Sequence, residues 1–241
     1  WERVEKLVTE KRYTDVFTDF NPILQQADYR IVAFEAPVVS GTAVPIRKSG
    51  PHLRTEVTAL GTLKEAGFNL VTLANNHFYD YGDKGVKETL HACHELGLDT
   101  VGGGENITQA RQVFYKEING KKFGFVNVCE HEFSIATDEH GGSNPLDVIN
   151  NYYQIREARQ QADYVVVIVH GGHEMYPLPS PRMKATYRYF AEIGADVVIN
   201  HHQHCYSGYE LYKGVPIFYG LGNFSFDWKK KRNGAWNEGF A

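Results

Sequence analysis

Apolar runs of strand length alternate along this chain with stretches of helical periodicity, and several of the apolar runs end in polar side chains. Glu2 to Glu10 places Val4, Leu7 and Val8 on one helical face, and Asn21 to Gln26 predicts a further helical turn. Ala27 to Phe34 predicts a buried strand, which Pro37 ends just after Glu35. A Gly-, Pro- and Arg-containing loop from Ser40 to Pro51 leads to a helix over Glu56 to Ala66, closed by Gly67. Asn69 to Leu73 is the next strand. Asp83 then stands where it can cap a helix with Val86, Leu90 and Cys93 on its apolar stripe and Gly97 as its stop.

In the second half, Phe114 to Ile118 and Phe123 to Val128 flank Asn119-Gly120, a hairpin pattern. Pro145 to Gln161 predicts a helix. Ala162 to Val169 is a continuous β-branched run that predicts a strand covered on both faces. Arg182 to Ile193 predicts a helix stopped by Gly194, and Asp196 opens another apolar strand. Tyr209 to Tyr212 and Pro216 to Tyr219 form a second hairpin around Lys213-Gly214. Helices alternating with strands predict an α/β layered domain. Thr100 to Gly104 holds three glycines without either phosphate-loop spacing, and reads as a turn where chain segments pass closely.

Composition narrows the classes. A chain of 241 residues with 42% hydrophobic and 22% charged residues is an ordinary globular composition with room for a substantial core. A formal charge of −4 gives no reason to expect nucleic acid or an anionic membrane as partner. No apolar run approaches the roughly 20 residues that span a bilayer. Cys93, Cys129 and Cys205 are odd in number and lack paired spacing, so no disulfide framework is expected, and the expected compartment is the cytoplasm, with an upstream anchor or signal left open. Cys205 reads as a structural thiol.

The candidate chemistry sits at the strand tips. Asp196-Val-Val-Ile-Asn-His-His-Gln-His204 brings three histidines into four positions after an apolar run. In an extended segment His202 and His204 point to one side, about 7 Å apart, and His201 and Gln203 to the other. Three further strands end in Glu35, in Asn76-His77 and in His170. In open α/β sheets the C-terminal strand edge is where ligands bind. Imidazole, carboxylate and amide oxygen together suit Mn, Fe, Zn or Co better than Ca or Mg. Two such ions would activate water and clamp an in-line displacement at phosphorus. A neighbouring histidine would protonate the leaving group or hold a phosphoryl oxygen. The Cys129-Glu130-His131-Glu132 cluster reads equally as a solvated loop.

The order of Glu, Asn-His, His-x-Gly and His-x-His at successive strand tips resembles the calcineurin-like metallophosphoesterases. Leu73-Ala-Asn-Asn-His-Phe-Tyr-Asp-Tyr-Gly82, Gly194-Ala-Asp196, His202-Gln-His204 and Tyr212-Lys-Gly-Val-Pro-Ile-Phe-Tyr-Gly-Leu-Gly-Asn-Phe224 are similar to the CapA branch, linked to capsule poly-γ-glutamate synthesis. The resemblance implies one domain over 1–241, trimmed at both ends, folded as a four-layer α-β-β-α sandwich without its first strand. It implies Glu35, Asn76, His170, His202 and His204 as ligands to two divalent transition-metal ions (Mn, Fe or Zn), with His77 as the catalytic acid or phosphate contact. Arg54 is a candidate contact for an anionic substrate, since a guanidinium suits phosphate and carboxylate, and reads equally as a solvent-exposed loop arginine. The Gly-Asp strand with which the superfamily usually opens would precede Trp1, and Glu35 stands where many members carry Asp.

Three functions follow as expectations: a metal-dependent hydrolase of phosphoester-like bonds on an anionic small molecule or polymer, a hydrolase of amide bonds in poly-γ-glutamate, and a non-catalytic accessory protein of capsule assembly that binds an acidic polymer.

Overall fold

The valine-rich strand Tyr164–His170 lies inside the larger of two principal sheets. The computed structural model describes residues 2–226 and 234–241. In chain order it contains helices α1 (Glu2–Thr9) and α2 (Asn21–Leu24), strand β1 (Ile31–Ala33), helix α3 (Val57–Glu65), strand β2 (Leu70–Thr72) and helix α4 (Gly82–Glu95). Strands β3 (Asp99–Val101) and β4 (Gly103–Gly104), helix α5 (Ile107–Ala110), and strands β5 (Phe114–Ile118), β6 (Lys121–Cys129) and β7 (Gly142–Ser143) follow. The remainder is helix α6 (Val148–Gln161), strand β8 (Tyr164–His170), helix α7 (Pro181–Ile193), and strands β9 (Val197–His201), β10 (Tyr209–Tyr212) and β11 (Val215–Phe218).

The smaller principal sheet is parallel, in the order β1-β2-β3; the larger runs β10-β11-β9-β8-β6-β5, parallel from β11 to β6 with antiparallel outer strands. The two-residue alternation of a strand sorts its side chains between faces. Along β8, Val165, Val167 and Val169 join the cluster with Tyr187 and Phe190 of α7 and Ile155 and Ala158 of α6. Val166 and Ile168 instead meet Leu70, Val101 and Phe125, so a second apolar cluster is shared by both sheets. A third packs Val71 of β2 against Leu60 and Leu63 of α3 and Val86 and Cys93 of α4. Asn127, fully buried on β6, ties the sheets with polar bonds: its Oδ1 accepts from Ala74 N at 2.8 Å and its Nδ2 donates to Ile168 O at 3.2 Å.

Most predicted elements form. Both hairpins take the predicted turns, with positive φ at Asn119 (51°) and Gly120 (72°) and at Lys213 (51°) and Gly214 (88°). Helix α7 starts where Ser180 accepts from Met183 N, with Pro181 in its first turn. Four expectations need correction. Strand β1 is shorter and less buried than expected: regular pairing runs only from Ile31 to Ala33, the Arg30 N–H being taken by the Asn69 side chain at 2.8 Å, and Ile31 and Val32 are half-buried while Ala33 is exposed. Asp83 does not cap α4: it lies inside the first turn, and its Oδ1 accepts from Gly141 N at 2.8 Å. Helix α6 begins at Val148 rather than Pro145, with Asp147 as its cap, accepting from Ile149 N. Thr100 and Val101 belong to strand β3 and not to a turn, a three-residue strand too short to show periodicity beside its glycines. The close passage predicted there is present, since a Cβ on Gly102 would lie 2.7 Å from Asn127 Cγ. Among the described residues no helix is long and apolar enough to cross a membrane.

Candidate metal centre

Parallel pairing of β1 with β2 and of β8 with β9 brings four C-terminal strand ends together. Glu35 follows β1, Asn76 and His77 follow β2, His170 closes β8, and His202 and His204 follow β9. Glu35, His170 and His202 each offer a ligand atom, all within 4.8 Å of one another. His170 Nε2 lies 3.6 Å from Glu35 Oε1 and 3.0 Å from Asn76 Oδ1, and the rings of His170 and His202 are 4.7 Å apart between centroids.

The donor set fits a metal on two grounds. Glu35 Oε1 and His202 Nδ1 are buried with no hydrogen-bond partner among the described residues, a costly condition that a cation would relieve. The imidazoles are also held neutral, the form that ligates a metal. Burial pushes His170 well below its usual value, with neighbouring His202 and His201 adding to it. Burial brings His202 down to about 4, against the raising effect of Glu174, and His201 down to about 3. Burial, then the charges of Glu174, Glu132 and Asp80, pushes the Glu35 carboxyl up to about 8. An acid so raised is one that a nearby cation would ionise.

His202 and His204 do share one side, with centroids 6.1 Å apart, but extended alternation is not the cause. Strand β9 ends at His201, and both residues turn into positive φ, 108° at His202 and 54° at His204. Such conformations at non-glycine residues store strain that the surroundings must hold. A buried polar network does so. Asn200 Nδ2 donates among Gly171 O (2.9 Å), Gln203 Oε1 (2.8 Å) and Tyr219 O (2.9 Å), and its Oδ1 accepts from Tyr187 Oη at 2.8 Å. Gln203 Nε2 donates to Ser207 Oγ at 2.8 Å. One amide therefore fastens the loops after β8, β9 and β11.

His204 is set by Asn223, whose Oδ1 lies 2.9 Å from its Nδ1, and its ring packs against Trp236 at 4.7 Å. His77 is held from behind: its Nδ1 lies 2.7 Å from Asp80 Oδ2, and that same oxygen accepts from Leu53 N at 2.7 Å. Lys48 Nζ pairs with Asp80 Oδ1 and stands 3.1 Å from His77 Nδ1. Arg54 is exposed, its guanidinium 6.0 Å from the centre of the Tyr81 ring. The structure thus brings Glu35, Asn76, His170 and His202 into one group, with His204 beside His202, while Arg54 stands over Tyr81. Cys205 is buried, and burial raises its thiol. A cavity of about 550 Å³ opens beside the group, lined by Glu35, His201, His202 and His204 together with Phe34 and Phe224.

Sequence reasoning did not single out Lys48, Asp80, Asn200, His201 or Asn223. Asp80 carried a signal, lying three positions beyond His77. Lys48 carried none, because its partner is brought to it by tertiary folding. Glu130, read as a loop residue, accepts from Gly172 N at 2.9 Å and Arg182 Nη2 at 2.6 Å, and so anchors the turn after β8.

The chain is 35% identical, over 96% of its length, to the capsule biosynthesis protein CapA of Bacillus anthracis. It is 34% identical, over 96%, to the PGA biosynthesis protein CapA of Bacillus subtilis (strain 168). It spans 59% and 62% of those two relatives' own lengths. A protein of Mycobacterium tuberculosis named as a probable polyglutamine synthesis accessory protein is 24% identical over 67% of this chain and 46% of its own length. A crystal structure of a hypothetical protein from Thermus thermophilus matches with a TM-score of 0.55 at 19% identity, covering 87% of this chain and 71% of that one. The protein TT1561 of the same organism matches with a TM-score of 0.50 at 10% identity, covering 89% and 84%. At these identities the likeness is one of fold. The model of the bacterial capsule synthesis protein family PGA_cap matches residues 2–228, and the chain belongs to that family.

Proposed function

We propose that this chain is a metal-dependent hydrolase of phosphoester-like bonds, folded as a four-layer sandwich of the metallophosphoesterase kind and serving capsule poly-γ-glutamate biosynthesis. The observation that carries the reading is the convergence of Glu35, His170 and His202 from both sheets, with Glu35 Oε1 and His202 Nδ1 buried and unpartnered among the described residues. Glu35, His170, His202 and Asn76 would hold one divalent transition metal, and His204 would extend the set to a second. Bound there, such ions supply Lewis acidity, acidifying water and neutralising charge at phosphorus.

The chain's own residues supply orientation and proton handling. Asn223 Oδ1 can accept the Nδ1 proton of His204, leaving Nε2 as the ligating nitrogen. Asp80 holds the Nδ1 side of His77, so Nε2 is left to protonate a leaving oxygen or contact a phosphoryl oxygen. The substrate expected is an anionic small molecule or polymer and not a nucleic acid. Arg54, exposed over Tyr81 and outside the ligand group, would offer such a substrate a guanidinium.

The test is turnover of an aryl phosphate with added Mn²⁺ or Zn²⁺. The reading requires turnover that a chelator abolishes and that a His170→Ala, His202→Ala double variant lacks. The name of the mycobacterial relative supports a second reading, an accessory protein that binds without turnover. Tight metal binding with no hydrolysis of phosphate esters or of γ-glutamyl amides would favour it.

A further inference from the structure

His201, which follows Asn200 and precedes the His-x-His pair, touches His170 at the nitrogen opposite Asn76: its Nδ1 lies 2.8 Å from His170 Nδ1, while His170 Nε2 lies 3.0 Å from Asn76 Oδ1. We propose that His201 is a positioning residue that fixes the ring and the tautomer of His170, so that His170 Nε2 presents its lone pair to a metal. This rests on the reading of Glu35, His170 and His202 as a metal site. Two neutral imidazole nitrogens at hydrogen-bond distance share one proton. His170 Nε2 is the nitrogen on the triad side, 3.6 Å from Glu35 Oε1. A ring that ligates through Nε2 carries its proton on Nδ1. His170 Nδ1–H therefore donates, His201 Nδ1 accepts, and His201 keeps its own proton on Nε2. That Nε2 is buried without a hydrogen-bond partner among the described residues, and His201 lines the cavity.

Without a metal the direction reverses. His170 Nε2–H donates to Asn76 Oδ1 at 3.0 Å, and His170 Nδ1 accepts from His201 Nδ1–H. Each ring carries one proton in both states. The change moves a proton from one nitrogen to the other within each ring, with none gained or lost by the pair. A carboxylate or carbonyl behind His170 could only accept, and would leave the metal-free arrangement unsatisfied. An imidazole can donate or accept, so the same pair is hydrogen-bonded in both states.

Zn²⁺ alone is the probe, with affinity measured on the full chain by competition with a chromogenic chelator. His201→Ala is expected to bind Zn²⁺ about 10- to 100-fold more weakly, as for loss of a partner that orients a ligand. His201→Asn is expected to remain within about threefold of the native chain, because a side-chain amide can also accept from or donate to His170 Nδ1. His201→Leu fills the ring's space and replaces the alanine variant should that one fail to fold. Independently, ¹⁵N NMR of the native chain should find the His170 proton on Nε2 before Zn²⁺ and on Nδ1 at saturation. Native affinity in His201→Ala or His201→Leu, or a His170 proton that stays on Nε2 under saturating Zn²⁺, would overturn the role of His201 alone. A native chain that binds no Zn²⁺ would overturn the metal-centre reading and this one with it.

Discussion

His77 and Asp80 lie three positions apart in the turn after β2, and the 2.7 Å contact between His77 Nδ1 and Asp80 Oδ2 is made by a carboxylate with no exposure at all. Asp80 also receives Leu53 N and Lys48 Nζ, so it joins the loop before α3 to the turn after β2. His77 is thereby fixed in orientation, with no hydrogen-bond partner for its Nε2 among the described residues. His77→Gln is expected to lower hydrolysis of an aryl phosphate by about 10²-fold or more, the usual scale for losing a positioned acid, while Zn²⁺ content stays native. Unchanged turnover would remove His77 from the chemistry.

Lys48 and Asp80 form an ion pair whose side chains are 2% and 0% exposed. A buried pair adds little net stability, but breaking it leaves a charge stranded. Lys48→Met and Asp80→Asn are each expected to destabilise the chain by about 3–5 kcal/mol in urea unfolding, and the double variant by clearly less than the sum. Strict additivity would mean that the two groups do not act as a pair.

Asn200 is fully buried, and its amide serves three loops at once. Removing it leaves Tyr187 Oη and Gln203 Oε1 short of partners and frees the strained turn at His202 and His204. Asn200→Ala is expected to cost about 3 kcal/mol and to weaken Zn²⁺ binding as well, although Asn200 is not a ligand. Lost stability with native Zn²⁺ affinity would show that the turn holds its shape without the network.

The strands, both hairpins and the tip positions of Glu35, Asn76, His170 and His202 were legible because strand alternation, turn chemistry and Asn-Gly pairs act locally. The partners behind the ligands were not. Asn127 looks like one polar residue in an apolar strand, yet it bonds Ala74, 53 positions away, across the two sheets. Lys48 sits in a loop that reads as solvated, and only the fold delivers Asp80 to it. The His-x-His reading placed His202 and His204 together, but it put His201 on the opposite side, whereas His201 lines the same cavity and touches His170; positive φ at His202 and His204, which leaves no mark in the sequence, breaks the alternation.

The metal-free chain should show a stability maximum near neutral pH. On the acid side, His201 at about 3 and His202 at about 4 stay neutral when folded but take up protons near 6.5 when unfolded. The unfolded state then binds more protons, so stability falls as pH drops from 6.5 toward 4. On the alkaline side, Glu35 keeps its proton to about 8 in the fold but loses it near 4.5 when unfolded. From 4.5 to 8 that group alone makes stability fall as pH rises, by on the order of 1 kcal/mol per pH unit. Below 6.5 the histidines outweigh it; above 6.5, of these three groups, Glu35 alone still contributes a slope. Thermal unfolding in the presence of a chelator should therefore peak near pH 6.5 and decline toward pH 8. Glu35→Gln should flatten the alkaline limb and leave the acid limb in place. Zn²⁺ should also flatten it in the native chain, since a cation stabilises the ionised carboxylate, whereas an alkaline limb unchanged by both would show that Glu35 is ionised and satisfied without a metal.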